Sequence, residues 1–337
     1  MKLYDENGWF NARSIVNSQA VFSVVIGGRG TGKTYSTLKY LVENNIKFIL
    51  MRRTQSQLDL LNKNEFSPFR AICNDAGYNI VSKPVSKYNS AFYMEEDGNI
   101  VSEALGYTMA LSTVANLRGF DASDVEVVVF DEFIAEKHER QVKNEFEALC
   151  NAYETINRNR ELKSCRAVKL VMLSNSNSLN SDILFGLCVI DKLVSMNAKG
   201  QEYSYDSSRA LELALLNNSV ISESKKETAL YKLAKDTRYY SMSIDNDYAY
   251  DDFSCVINQN LKEYKPMFTI DGLTVYRNKG ETKRWYVSKH LSGTVPEYTD
   301  PNTVLLEYRG LKIMYLLQMI YFESFECKSK FSRLFNC

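Results

Sequence analysis

The 337-residue chain holds two histidines, five prolines and seven cysteines, and its formal net charge is zero. Each shortage excludes something. The cysteines (Cys73, Cys150, Cys165, Cys188, Cys255, Cys327, Cys337) are odd in number and widely spaced, with no C-x-x-C pair. With only His138 and His290 to help them, they argue against a zinc site and for reduced thiols in a cytosolic compartment. Few prolines and fifteen glycines leave no low-complexity linker or collagen-like stretch. Lysine plus arginine total 41, and aspartate plus glutamate also total 41. That balance excludes a histone-like polycation and an acidic disordered chain, so any basic surface must be local. The longest apolar run, 313–322, is about half of the ~20 residues a membrane span needs. Residues 1–8 are polar and mixed in charge, unlike a signal peptide. A soluble intracellular protein with no membrane partner is expected.

What is present points to a globular chain. Apolar residues make up 45% and charged residues 24%, enough for a sizeable core. The length suggests two domains, or one large domain with an appendage. Short apolar runs at 21–26, 48–51, 125–130 and 168–173 read as buried strands, with helical spacing at 34–44, 57–62 and 144–157 between them. Shorter strand signals lie at 78–81, 91–94 and 107–110. Alternating strands and helices, with strands apolar throughout, predict an α/β fold: a parallel sheet with helices on both faces. This is taken as one domain over 1–205. Polar-faced helices at 207–216 and 224–235 predict a helical linker over 206–245. Beyond it, 267–270 and 273–277 flank Asp271-Gly272, a hairpin signal. With a third strand at 284–288 and a helix at 305–325, they predict a small α+β domain over 246–337.

Gly27-Gly28-Arg29-Gly30-Thr31-Gly32-Lys33-Thr34 fits the phosphate-loop pattern G-x-x-x-x-G-K-[ST], between a buried strand and a helix as that loop requires. The glycines let backbone N–H groups turn inward around an anion, and the helix N-terminus adds partial positive charge. Lys33 is assigned to the β- and γ-phosphates of ATP, and the Thr34 hydroxyl to Mg2+. A glycine-rich turn with a chance lysine would need neither flank.

Val127 to Phe130 runs into Asp131-Glu132. Carboxylates on a buried strand are costly unless paired or metal-bound. Asp131, through water, is a second candidate ligand for Mg2+. Glu132 is a candidate base that orients and deprotonates the attacking water. The bland alternative is that both acids cap the next helix. A carboxylate in the Glu132 position is rarely needed by kinases or switch GTPases and is used by ring ATPases and helicases. Asn175, at the tip of the 168–173 strand, is a candidate γ-phosphate sensor, or a turn residue in a serine- and asparagine-rich loop. Arg158, Arg160, Lys163, Arg166 and Lys169 are opposed only by Glu161. They either balance a helix C-terminus or supply an arginine finger to a neighbouring subunit.

Taken together, VVIGGRGTGKT, ALSTVANLRGFDASDVEVVVFDEF, ETINRNRE and KLVMLSNS resemble the DNA-packaging ATPases of small tailed phages, the phi-29-type branch of the terminase-like translocases. The likeness is strong over about residues 20–180 and weaker beyond. It implies a RecA-like (ASCE) P-loop core, a helical linker, and a C-terminal domain resembling an RNase H-like nuclease that has lost its activity. It implies a homopentameric ring on the portal (connector) of a prohead, driving double-stranded DNA inward with a structural packaging RNA as scaffold. Such a protein acts in the host cytoplasm, transiently on the portal vertex, and is not expected in the mature virion. Carried over by position, Lys33 and Thr34 are the phosphate-loop pair and Arg29 the loop arginine. Asp131 and Glu132 are the magnesium and catalytic carboxylates, and Arg158 the trans-acting finger. Arg118 is a second basic residue acting between subunits. Arg52 and Arg53 lie in the segment that grips DNA in the family, although its lysine is Gln55 here.

An active nuclease needs several carboxylates around two metals. Asp245, Asp247, Asp251 and Asp252 cluster only in a tyrosine-rich stretch, so none is expected. Seven basic residues between 262 and 289 are interleaved with aromatics. Lys279, Lys283 and Arg284 are therefore candidate nucleic-acid contacts. A helicase working away from a capsid, and a nucleotide-gated adaptor with negligible hydrolysis, remain as other readings; a small-molecule kinase would need neither the second domain nor Glu132.

Overall fold

The computed structural model describes residues 1–337 except 117–120, 137–138, 140–141, 177, 245–250, 281–283 and 294. The chain divides into two compact units. One comprises Met1–Leu187 with Ser195–Tyr250, the other Cys188–Val194 with Asp251–Cys337.

The first unit is built on one large sheet. Its strands are β1 (Phe22–Gly27), β2 (Phe48–Arg52), β3 (Ile80–Pro84), β4 (Ser90–Glu96), β5 (Asn99–Ile100), β6 (Gly106–Ala110), β7 (Val127–Asp131), β8 (Lys169–Asn175), β9 (Tyr203–Asp206) and β10 (Leu211–Leu216). The order is β3-β4-β6-β2-β7-β8-β1-β10-β9, with β5 paired to β4. From β6 to β10 every pairing is parallel, while β3, β4 and β9 are antiparallel at the edges. The central strands are apolar at nearly every position because both faces are covered. Val25, Leu50, Val129 and Val171 pack with Leu38 and Leu41 of the helix Lys33–Glu43. On the other face Phe22 meets Tyr153 of the helix Glu145–Asn157, ring centroids 5.1 Å apart.

The stretch read as a helical linker is different. Leu211–Leu216 is a buried strand beside β1. Its one charged residue, Glu212, is 0% exposed. It accepts hydrogen bonds from Ser18 Oγ (2.7 Å), Ser23 Oγ (2.6 Å) and Tyr203 OH (3.0 Å). Satisfied in this way, a carboxylate can sit inside a sheet at tolerable cost. Only 220–244 is helical, as three short pieces, Val220–Lys226, Ala229–Leu233 and Arg238–Ile244. All of 206–245 belongs to the first unit.

The second unit holds β11 (Tyr264–Ile270), β12 (Leu273–Asn278), β13 (Trp285–Ser288), β14 (Glu297–Tyr298) and β15 (Ile320–Phe322), in the order β14-β11-β12-β13-β15. The β11–β12 hairpin turns at Asp271 (φ 46°) and Gly272 (φ 71°), the left-handed pair a two-residue type I′ turn needs. Phe268, Val275, Trp285, Val287, Val304, Phe322 and Phe331 share its core. The helix expected over 305–325 is instead Pro301–Glu307, Leu311–Leu316, β15 and Phe325–Phe335. The reason is tertiary: the open edge of β13 takes Ile320, Tyr321 and Phe322 as a parallel partner. Lys289 Nζ ties Asp191 (2.6 Å) to Glu326 (2.9 Å) within this unit.

Candidate nucleotide site

Strand register brings the sequence-predicted residues of the first unit together. Gly27, which ends β1, stands opposite Asn175, which ends β8. Asp131 ends β7 opposite Leu173, and Phe130 faces Met51, so Arg52 at the end of β2 lies beside Asp131. The C-terminal ends of β2, β7, β8 and β1 therefore form one rim, the usual place for ligands in a parallel sheet.

The phosphate loop opens from that rim. Gly30 and Gly32 have φ of 70° and 84°, conformations that favour glycine and turn the intervening amides inward. Gly32 is the N-cap of the 11-residue helix Lys33–Glu43. Lys33 folds back so that Nζ donates to Gly27 O (2.9 Å), Gly28 O (2.8 Å) and Asn175 Oδ1 (3.2 Å). Burial pushes its amine down to about 7, with the Asp131 carboxylate opposing. The Thr34 hydroxyl is 2.9 Å from both oxygens of Asp131. Arg29 is exposed and pairs with Glu136 at 2.5 Å.

Asp131 is 3% exposed, yet it is satisfied: Arg52 Nη2 lies 2.7 Å from its Oδ2. The same guanidinium pairs with Glu132. Glu132 has φ 54°, a left-handed backbone that costs a non-glycine residue ~1 kcal/mol and persists where the surroundings impose it. Burial raises its carboxyl, with Arg52 pulling the other way.

Two observations test whether nucleotide and Mg2+ fit here. A cavity of about 310 Å3 is lined by Gly30, Gly32, Lys33, Thr34, Asp131 and Asn175. Ser174 Oγ, also on its lining, is buried without a hydrogen-bond partner among the described residues. An amide nest, an ammonium, a hydroxyl paired with a carboxylate and an orphaned hydroxyl suit a polyphosphate with its metal. A second cavity of about 590 Å3 shares Gly32 and Tyr35 with the first and adds Trp9 and Tyr40.

The remaining candidates are dispersed. Arg52 and Arg53, expected to face DNA, are buried: Arg52 is 8% exposed and paired with the two carboxylates, and Arg53 is 0% exposed. Arg53 pairs with Glu139 (2.8 Å) and Glu145 (2.5 Å), fastening the end of β2 to the helix Glu145–Asn157. This is not legible in the sequence, because the acids that pair with both arginines lie far along the chain. Arg158 sits at the other end of the sheet. It lines a cavity of about 510 Å3 together with Val127 and Lys169, the first residues of β7 and β8. Its φ is 46°, and it pairs with Asp121 at 3.4 Å. Arg160 donates instead to the carbonyls of Val125 (2.7 Å), Ala122 (2.7 Å) and Ser123 (3.0 Å), a structural clamp. In the second unit Lys279 and Arg284 are exposed, and Arg284 lies 5.3 Å over the Tyr321 ring. Arg118, Lys283, Asp245 and Asp247 lie outside the described residues. Among the described residues no group of three or more His, Cys, Asp or Glu is placed to hold a metal, and no helix is long and apolar enough to cross a membrane.

The profile of the family described as podovirus DNA encapsidation protein (Gp16) matches residues 4–304. The DNA packaging protein of Bacillus phage phi29 is 28% identical over 272 residues, covering 79% of this chain and 73% of that protein. That of Bacillus phage B103 is 26% identical over 257 residues, covering 74% and 71%. Among solved structures, the bacteriophage phi-29 viral genome packaging motor assembly aligns with a TM-score of 0.67 at 20% identity, over 97% of this chain and 98% of that one. The phi-28 gp11 DNA packaging motor aligns at 0.64 and 21% identity, over 98% and 99%. Both likenesses extend over the two units and show a shared fold.

Proposed function

The chain belongs to the podovirus DNA encapsidation protein (Gp16) family, and we propose that it is an ATP-hydrolysing motor that drives double-stranded viral DNA into a preformed prohead. The observation that carries this reading is the convergence of Lys33, Thr34, Asp131, Glu132 and Asn175 on one rim through strand register. Loop amides and the Lys33 ammonium bind the phosphates. Trp9, beside Gly32, borders the larger cavity, which offers room for base and ribose. Thr34 and Asp131 would hold Mg2+, which supplies charge neutralisation at the phosphates. Glu132 accepts the proton of the attacking water, and burial, by raising its carboxyl, makes it a stronger base. Asn175 orients the terminal phosphate.

Arg52 gives this site two arrangements. Its guanidinium shares both carboxylates, so it competes with a cation for Asp131 and with water for Glu132. Filling the site transfers the carboxylates away from Arg52. Because Arg52 is followed directly by the clamped Arg53, that shift is felt at the end of β2.

Arg158 lies at the N-terminal ends of the strands, away from its own phosphate loop, which favours action on the nucleotide of a neighbouring subunit in a ring, read here as a pentamer. Arg118 is proposed to act between subunits as well. The exposed cations Lys262, Lys265, Arg277, Lys279 and Arg284 are the proposed nucleic-acid contacts of the second unit, for DNA or the packaging RNA, and Lys283 is proposed with them on its sequence position alone. The protein would act in the host cell at the portal vertex and leave before the virion matures. The test is ATPase activity in the presence of proheads and DNA, with protection of DNA from added nuclease as readout. Stimulation by DNA alone, with no prohead dependence and no protected DNA, would replace this reading with that of a free helicase.

A further inference from the structure

The phosphate loop has a partner from far along the chain. Lys225, on the helix Val220–Lys226, donates its ammonium to the carbonyl oxygen of Arg29. The helix is anchored on the first unit at its start. Ser219, its N-cap, donates to Gly8 O at 2.8 Å, and the Asn218 N–H donates to Glu202 Oε1 at 3.0 Å. The Lys225 amine also stands 5.9 Å from the ring centroid of Tyr231, which is buried. A Cβ on Gly30 would overlap this amine, so the loop and Lys225 are fitted to each other.

The consequence follows from peptide geometry. The Arg29–Gly30 peptide is planar and trans, so its C=O and N–H point in opposite directions. A cation on the carbonyl turns the Gly30 N–H to the other side and polarises it. Gly30 lines the phosphate cavity; Lys225 is not on that lining. We propose that Lys225 is a positioning residue for nucleotide binding: from outside the loop, its ammonium holds the Gly30 amide toward the phosphates. Burial and the Arg29 charge lower the Lys225 amine, so an anion in the cavity stabilises the charge that Lys225 carries. Coupling is reciprocal, so nucleotide also strengthens the seat of the 220–226 helix on the loop.

The inference rests on the nucleotide reading of the same cavity. The experiment compares binding of a fluorescent ATP analogue and steady-state ATPase in full-length wild type, Lys225→Gln, Lys225→Met and Lys225→Arg, with Lys33→Ala as the floor. Loss of one charge-assisted hydrogen bond acting through the loop should raise Kd and KM about tenfold in Lys225→Gln and Lys225→Met, with kcat within about twofold. Lys225→Arg should recover most of the affinity. Thermal melting without nucleotide checks folding, and either uncharged variant that melts like wild type suffices. Wild-type affinity in a folded uncharged variant overturns the proposal while leaving the nucleotide site intact, as does failure of arginine to rescue. Wild type no tighter than Lys33→Ala overturns the nucleotide reading itself.

Discussion

Arg52 and Asp131 end adjacent parallel strands, and the 2.7 Å contact between their Nη2 and Oδ2 atoms puts a guanidinium on the carboxylate proposed to hold Mg2+. Removing one partner of a buried ion pair leaves an uncompensated charge, at ~3 kcal/mol. Arg52→Ala should therefore lower unfolding free energy by about that amount in urea titrations. Since Asp131 then lacks a cation, Mg2+ should raise the melting temperature of the variant more than that of wild type. Equal shifts would argue against a shared position.

Glu132→Gln keeps the shape of the side chain and loses its basicity. It should bind ATP with near-normal affinity and turn it over at least about 100-fold more slowly in single-turnover assays. Normal turnover would remove Glu132 from the role of base. The left-handed backbone at this position adds a second expectation: Glu132→Gly should be more stable than Glu132→Ala by about 1 kcal/mol.

The two arginines after the helix Glu145–Asn157 should separate cleanly. Arg160→Ala removes the guanidinium shared by three carbonyls, of which Ala122 O keeps the Val125 N–H, and should lower the melting temperature of the isolated chain. Arg158→Ala should leave it nearly unchanged. In packaging assays, mixing Arg158→Ala with Lys33→Ala subunits should restore part of the ATPase, because an intact finger then faces an intact site across some interfaces. No recovery in verified mixed rings would count against action in trans.

Lys33 carries the pH prediction. Its amine, pushed down to about 7 by burial, is partly neutral at physiological pH, and bound phosphate must raise it. Binding then takes up a proton above pH 7. Nucleotide affinity should fall as pH rises above about 7, by at most tenfold per unit, and calorimetry in buffers of different ionisation enthalpy should register the uptake. A flat profile between pH 7 and 9 would contradict the shifted amine. Lys33→Arg, permanently charged, should show a shallower dependence.

Lys279 and Arg284 test the second unit. If they meet phosphates, Lys279→Ala and Arg284→Ala should each weaken DNA binding irrespective of sequence and reduce the slope of log K against log salt by about 1. Unchanged slopes would assign this face to other contacts.

Residues close in sequence carried their meaning openly. The loop from Gly27 to Thr34 and the apolar strand ending in Asp131-Glu132 were legible because a phosphate nest and a strand-end carboxylate are local constructions, needing a few backbone torsions and one hydrophobic run. The buried strands, and hence the parallel sheet, were legible for the same reason. What depended on distant partners was not. The stretch 207–216 looked like a polar-faced helix, yet Ser18, Ser23 and Tyr203 satisfy Glu212 inside the sheet. Ile320–Phe322 looked helical until the edge of β13 claimed it. Arg52 and Arg53 looked like free cations until Asp131, Glu132, Glu139 and Glu145 closed around them. Lys225 carried no signal at all, since its place over Arg29 depends on a helix 196 residues further along the chain. By itself the sequence determined the chemistry of the phosphate site, because that chemistry is written in residue type and short spacing. Only the tertiary structure decided which charges face solvent and which hold one another, because burial and pairing depend on long-range contacts.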